Sequence, residues 1–136
     1  MGLCLLHGIK FPLFFCRHVY KSLLGRKVNY ADYAYFDPLN HDALLRLIRD
    51  AGDNTMMCWD KDVGYPDTED APAVTPQNVH AFVLCKAHFD MVDSISNELK
   101  WMQQGLHDVV TAQDLADLTA EDLQLLLSGR VSLAYA

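Results

Sequence analysis

Apolar residues recur at three- and four-residue spacing along most of the chain, and the stripes break at glycine, proline and capping residues. Residues 1–9 (Met-Gly-Leu-Cys-Leu-Leu-His-Gly-Ile) read as the tail of a helix that ends at Gly8 and whose own beginning is missing. Pro12 suits a first helical position, where its missing N–H is not needed, and Gly25 suits the left-handed residue that closes a helix. Between them Phe15, Val19, Ser22 and Leu23 mark one apolar face, while Arg17 and Lys21 sit four residues apart on the wet face. The spacing predicts a core helix over 12–24.

Asn29 to Phe36, with Tyr30, Tyr33, Tyr35 and Phe36, reads as a connector whose rings plug the core. Asp37-Pro38 is a helix start, and Leu44, Leu45, Ile48 and Ala51 give a stripe stopped by Gly52, so one helix is expected over about 38–50. Residues 52–75 change character. Asp, Gly, Pro and Thr are scattered from Asp60 to Pro76, and only Met56-Met57-Cys58-Trp59 has strand composition. Thr75-Pro76 restarts helix, continued by Val79, Phe82, Val83 and Lys86.

Ser94 can cap a further helix whose Ile95, Leu99, Met102, Leu106 and Val109 form one apolar face. Thr111-x-x-Asp114 and Thr119-x-x-Asp122 have the form of a capping box, with Asp for the usual Glu. Leu123, Leu126 and Leu127 pack the last helix before Gly129, and Arg130 to Ala136 carry no element. The fold class is mainly α with at most one or two short strands.

Composition narrows the function. A chain of 136 residues with 51% hydrophobic and 21% charged residues is one ordinary globular domain. The net charge of −7 is uneven: residues 1–30 carry Lys10, Arg17, Lys21, Arg26 and Lys27 without an acid, leaving −12 for the rest. An acidic balance argues against nucleic acid, and the basic end reads as a solvated face that can pair with acidic segments within the domain. No stretch approaches the roughly 20 apolar residues of a membrane span, so no membrane partner is expected. Lys10, Arg17 and His18 interrupt a signal-peptide reading, and Leu6 breaks the myristoylation pattern.

Cys4, Cys16, Cys58 and Cys85 show no Cys-x-x-Cys, which implies a reducing, intracellular compartment, cytoplasm or nucleus. Cys16 and Cys85 lie in helical, apolar contexts and read as small buried hydrophobes. Cys4-x-x-His7 and Cys85-x-x-His88 each put two ligand types on one helical face, but zinc sites use knuckle-like spacings, so neither a metal nor a cofactor is expected. His7, His18, His41, His80, His88 and His107 are scattered, and no Ser/His/Asp order or phosphate loop appears. The residues give no active site of their own; what remains is binding.

The stretch Phe11-Pro12-Leu13-Phe14-Phe15-Cys16-Arg17-His18-Val19-Tyr20-Lys21, with Leu23-Leu24-Gly25-Arg26-Lys27 and Phe36-Asp37-Pro38, resembles the amino-terminal lobe of HECT-type ubiquitin ligases of the hyperplastic-discs type. Val74-Thr75-Pro76-Gln77-Asn78-Val79, Gly105 with Asp108-Val109, and Asp117-Leu118-Thr119-Ala120-Glu121-Asp122 continue the resemblance in the family's order.

The resemblance implies a helical fragment of that lobe. Residues 1–50 would belong to its large subdomain, 51–110 to the small subdomain that docks the ubiquitin-conjugating enzyme, and 111–136 to the large subdomain again. It implies that Leu99 is the anchor of the docking groove, with Ile95 and Met102 on the same stripe and Met56, Met57 and Trp59 on the strand beside it; read from its stripe alone, Leu99 is a core leucine.

In the family, ubiquitin passes as a thioester through a cysteine of a separate carboxy-terminal lobe, set after a Thr and before a Leu/Pro-rich strand. A thiolate suits that role as both nucleophile and leaving group. No cysteine here has that context, so the chain is expected to supply scaffold and conjugating-enzyme docking in a ubiquitin transferase, and to be inactive alone. Its partners would be the conjugating enzyme and the remaining HECT domain of the parent chain. The alternative is a non-catalytic helical interaction module or decoy. Family members carry a longer hairpin after the first strand, and Asp60 to Ala73 is expected to be too short and too polar to supply the second strand, leaving Met56–Trp59 unpaired.

Overall fold

A computed structural model describes residues 1–50, 57–66 and 70–129. Its α-helices in chain order are α1 (Gly2–His7), α2 (Arg17–Leu23), α3 (Tyr30–Phe36), α4 (Pro38–Arg49), α5 (Val79–Met91), α6 (Ser96–His107) and α7 (Ala120–Ser128). Short 3-10 turns stand at Lys61–Val63 and Asp93–Ile95. Among the described residues no strand forms, and an isolated antiparallel bridge joins Cys58 to Ala73. The protein is mainly α, as the periodicity predicts. Contacts divide it into two compact units, Val28–Ser96 and Met1–Lys27 with Asn97–Ala136.

In the unit of residues 28–96 the expected aromatic connector is helix α3. The Asn29 N–H donates to Asp32 Oδ2 at 2.9 Å, the backward half of a capping box, and this local start outweighs the weak helix propensity of the tyrosines. Tyr33 is fully buried, as a core plug should be, but Tyr35 is 71% exposed. Helix α4 begins as expected at Asp37-Pro38, with the Asp37 carboxylate accepting the Asn40 N–H. It buries Leu44 and ends at Arg49; Ala51 and the predicted Gly52 stop lie outside the described residues.

Helix α5 starts at Val79 rather than at Pro76. Thr75 to Asn78 form a turn in which the Asn78 side chain accepts the Thr75 N–H and donates to the Ala73 carbonyl, so the first helical turn is displaced by three residues. From there Val79, Phe82, Val83, Ala87 and Met91 bury one face against Tyr33, Leu44, Val63 and Val74. Apart from Ala87, each of these side chains contributes about 1.5–3 kcal/mol of burial relative to exposure.

The segment expected to leave Met56–Trp59 without a partner does supply one to Met57, Cys58 and Trp59, Met56 lying outside the described residues. Beside the Cys58–Ala73 bridge, the Trp59 N–H donates to the Pro72 carbonyl and the Val74 N–H to the Met57 carbonyl, each at 2.9 Å. Directly after Trp59 the chain turns because Asp60 caps the 3-10 turn, Gly64 takes a left-handed φ of 75°, and Val63 drops into the core.

In the unit of residues 1–27 and 97–136, α1 ends at Gly8 and Gly25 has φ 69°, both as expected. The helix predicted over 12–24 is shorter: α2 starts at Arg17, and residues 11–16 run without helix. The reason is tertiary. The Phe11 N–H donates to the Leu127 carbonyl, the Leu13 carbonyl accepts from the Ser128 hydroxyl, and the Phe15 N–H donates to the Tyr20 hydroxyl, so these backbone groups bond outward instead of along a helix. Cys16, expected buried in mid-helix, is therefore the exposed N-cap.

Gly2 is buried against the end of α6, where an added Cβ would stand 2.7 Å from Val109 Cβ. Ser94 does not cap α6: its hydroxyl donates back to the Asp90 carbonyl. The Thr119/Asp122 box forms at the start of α7, whereas the Thr111/Asp114 box closes turns instead of a helix. Leu123 and Leu127 are buried while Leu126 is 47% exposed, so α7 packs through two of its three expected leucines.

Candidate docking site

Met57 and Trp59 stand on either side of the bridged residue Cys58 and have different surroundings. Trp59 turns into the core of residues 28–96, its ring edge-on to Phe82 at 5.6 Å and to Tyr65 at 6.2 Å between centroids. Met57 is 43% exposed. It borders a groove of 320 Å³ whose other lining residues are Cys58, Asp60, Asp62, Val63, Phe82 and Lys86. The floor is apolar and the rim is charged, the layout of a surface that buries a hydrophobic group and orients it with polar contacts.

Lys86 sets one edge of that rim. Its ammonium lies 3.0 Å from Asp90 Oδ1, one turn along α5, and 3.4 Å from the Asp62 carbonyl. The other oxygen of Asp90 accepts the Tyr33 hydroxyl at 2.6 Å. Burial, and then the Asp90 carboxylate, push the Tyr33 phenol far above its ordinary value. The chain Tyr33–Asp90–Lys86 thus ties the core to the groove's edge. Sequence reading missed Asp60, Asp62 and Lys86; the available signals were the i,i+4 pairing of Lys86 with Asp90 and the Asp-x-Asp turn.

The remaining candidates are distributed over the molecule. Ile95 is half-buried and belongs to residues 28–96, whereas Leu99 and Met102 belong to the other unit. Leu99 is 7% exposed and Met102 half-buried. Met56 lies outside the described residues. Of the cysteines, Cys16 and Cys58 are exposed and Cys4 and Cys85 half-buried.

A second groove, of 480 Å³, lies in the unit of residues 1–27 and 97–136, where Leu5, Leu6, Val109, Leu115, Leu118 and Leu126 form most of its wall. No helix among the described residues is long and apolar enough to cross a membrane.

Comparison with known proteins gives the family. The chain matches the HECT domain (ubiquitin-transferase) over residues 1–135. It is 34% identical over 146 residues to E3 ubiquitin-protein ligase hyd of Drosophila melanogaster, an alignment covering 95% of this chain and 5% of that protein. It is 27% identical to E3 ubiquitin-protein ligase TOM1-like of Neurospora crassa and 28% identical to E3 ubiquitin-protein ligase HACE1 of Xenopus tropicalis, again over 95% of this chain, and over 3% and 15% of those proteins. The chain therefore spans a small part of the length of these relatives. The match runs through the Phe-Pro-Leu-Phe-Phe block, the Val-Thr-Pro block and the Thr119 capping box alike, and the chain belongs to the HECT-domain ubiquitin-transferase family.

Proposed function

We propose that this chain works as part of a HECT ubiquitin ligase, supplying scaffold and a docking surface for a ubiquitin-conjugating enzyme rather than the cysteine that carries ubiquitin. Residues 51–110 are assigned to the docking subdomain, and 1–50 with 111–136 to the large subdomain, from the order of the family blocks. The compact units reflect contact density and are a separate partition.

The observation that carries the docking reading is the exposed Met57 beside a groove with an apolar floor and a charged rim. Interfaces draw most of their energy from a few apolar anchors near their centre, and an exposed methionine adapts readily to such a role. Leu99, Ile95 and Met102 stay separate candidates for touching the conjugating enzyme, each argued within its own unit, with Leu99 needing a local opening to take part because it is buried.

The cysteine contexts support the other half of the reading. Leu3-Cys4-Leu5, Phe15-Cys16-Arg17, Met57-Cys58-Trp59 and Leu84-Cys85-Lys86 all lack the preceding threonine of the family's transfer cysteine. The remaining HECT domain of the parent chain is the second proposed partner, and the four free cysteines fit a reducing cytoplasm or nucleus.

The test is a titration of the 136-residue chain with an uncharged conjugating enzyme, alongside a thioester assay with the charged one. Binding that Met57→Asp weakens tenfold or more, with no reducible ubiquitin adduct on this chain, is the expected result. A ubiquitin adduct on Cys4, Cys16, Cys58 or Cys85 would overturn the scaffold assignment. Binding indifferent to Met57→Asp, or none, would remove the docking surface.

A further inference from the structure

Residues 9–16, between α1 and α2, lie along the end of α7 with little side-chain burial. Ile9 is 60% exposed, Leu13 55% and Phe14 56%, and Lys10, Pro12 and Cys16 are exposed too. Only Phe11 and Phe15 are half-buried, stacked on each other at 6.1 Å between centroids. A segment with so few buried apolar contacts opens at low free energy unless polar bonds hold it.

Those bonds are present and converge on one place. The Lys10 ammonium donates to the Leu125 carbonyl at 3.0 Å and the Leu126 carbonyl at 3.3 Å, and the Phe11 N–H donates to the Leu127 carbonyl. The segment thus reaches three carbonyls of the last turn of α7: the Leu125 carbonyl also accepts the Gly129 N–H, whereas those of Leu126 and Leu127 are groups that a helix end leaves without an internal partner.

Two buried hydroxyls complete the fastening. Ser128 Oγ has a single proton, which it donates to the Leu13 carbonyl at 2.7 Å, so in the 2.8 Å contact between the two hydroxyls Tyr20 is the donor. The Tyr20 oxygen in turn accepts the Phe15 N–H at 3.1 Å. The bonds run in one direction, from the Phe15 N–H through Tyr20 and Ser128 to the Leu13 carbonyl, and bonds in such a chain polarise one another. Tyr20 is wholly buried and Ser128 is 9% exposed, so water does not replace either bond without opening the segment.

We propose that residues 9–16 form a strap that unlatches as a unit, with the Tyr20–Ser128 hydroxyl relay as its latch. The strap is a conformational device: when it lifts, the Leu126 and Leu127 carbonyls lose their caps together, so the linker before α2 controls the order of the end of α7. Helix α2 and the first turns of α7 stay packed through Val19, Leu23, Ala120 and Leu123.

Hydrogen exchange followed by mass spectrometry on the whole chain tests this with Tyr20→Phe, Ser128→Ala and the double variant. The latch requires amides of residues 9–16 to exchange at least tenfold faster in each, by the same factor in the double variant as in either single one, while α5 and the first turns of α7 keep the parent's rates. Unchanged strap exchange overturns the proposal, as do multiplying effects of the two substitutions. A variant that speeds exchange through α2 and α7 equally, or that fails to fold, overturns it as well, because the relay would then hold the whole unit rather than a strap.

Discussion

In residues 28–96 the groups that hold the structure are mostly side chains packed on side chains, a continuous cluster of Tyr33, Val63, Val74, Phe82, Val83 and Met91 joined by Trp59 at its margin. In residues 1–27 with 97–136 a comparable set of leucines is buried, but the elements are fastened by polar side chains reaching backbone carbonyls far along the chain. Besides the strap, the Arg26 guanidinium bonds the Ala116 and Leu118 carbonyls at 2.6 and 3.0 Å, Gln103 bonds the Ser22 carbonyl, and Arg17 pairs with Glu121.

The difference explains the charge asymmetry of the sequence. Three of the five basic residues near the start, Lys10, Arg17 and Arg26, serve as long-range fasteners within their unit, and among the described residues Arg17 pairs with an acid while Lys10 and Arg26 bond carbonyls. Burial is non-directional and scales with area, so the apolar unit should tolerate a shape-conserving change and suffer from a cavity. The fastened unit depends on single side chains, each bonding a few fixed groups.

The two tryptophans allow the units to be followed separately, Trp59 in one and Trp101 in the other, with Trp101 66% exposed. Phe82→Ala should have the largest effect. It removes a fully buried ring that Trp59 touches, and a loss of about 3–5 kcal/mol is expected from such a cavity. Denaturant unfolding followed by Trp59 fluorescence in a Trp101→Phe background measures it, and an unmoved midpoint would mean that the apolar cluster does not carry this unit.

Leu99→Ala comes next and decides between two roles. As a core leucine in the other unit it should cost about 2–5 kcal/mol, read from Trp101 in a Trp59→Phe background. If the midpoint holds while conjugating-enzyme binding weakens, Leu99 is an anchor instead.

The pH dependence should differ in direction between the units. The Tyr33 phenol is held well above its ordinary value of about 10 by burial and by Asp90, so its neutral form belongs to the folded state. That contribution is full below pH 10 and is lost as the pH rises further, because the unfolded chain ionises first. Melting temperatures between pH 8 and 11 should fall in the parent and fall less in Tyr33→Phe.

Asp122 behaves in the opposite sense. The Thr119 N–H, and then its hydroxyl, hold the exposed carboxyl below the ordinary carboxylate range, so its contribution is present above about pH 4 and is lost as the pH falls through the lowered value. Thr119→Ala removes the cap at a cost of about 1 kcal/mol, the smallest of these effects. The acid-side loss reported by Trp101 should shrink with it; a loss unchanged in the variant would show that other carboxylates cause it.

Much of the helical layout was legible because its signals are local. Gly8 and Gly25 end helices, Asp37-Pro38 starts one, and the Thr119-x-x-Asp122 box closes on itself within a single turn. The docking candidates were less legible. Met57 and Trp59 have the same apolar character in the sequence, and only packing sends the Trp59 ring onto Phe82 and Tyr65 while leaving Met57 at a groove.

By itself, then, the sequence determined the family, through separated blocks in order, and also the mainly α class and those helix ends, such as Gly8, Asp37-Pro38 and Thr119, whose signals lie within a few positions of one another. Tertiary structure alone decided where residues 11–16, 57–66 and 70–74 go. In these segments backbone donors and acceptors had two sets of possible partners, a local helix or turn and a distant group. The distant Leu127, Ser128, Pro72 and Val74 prevailed because folding brings them close enough to bond. Spacing along the chain cannot carry that information: the Ser128 hydroxyl is 115 residues from the carbonyl it satisfies.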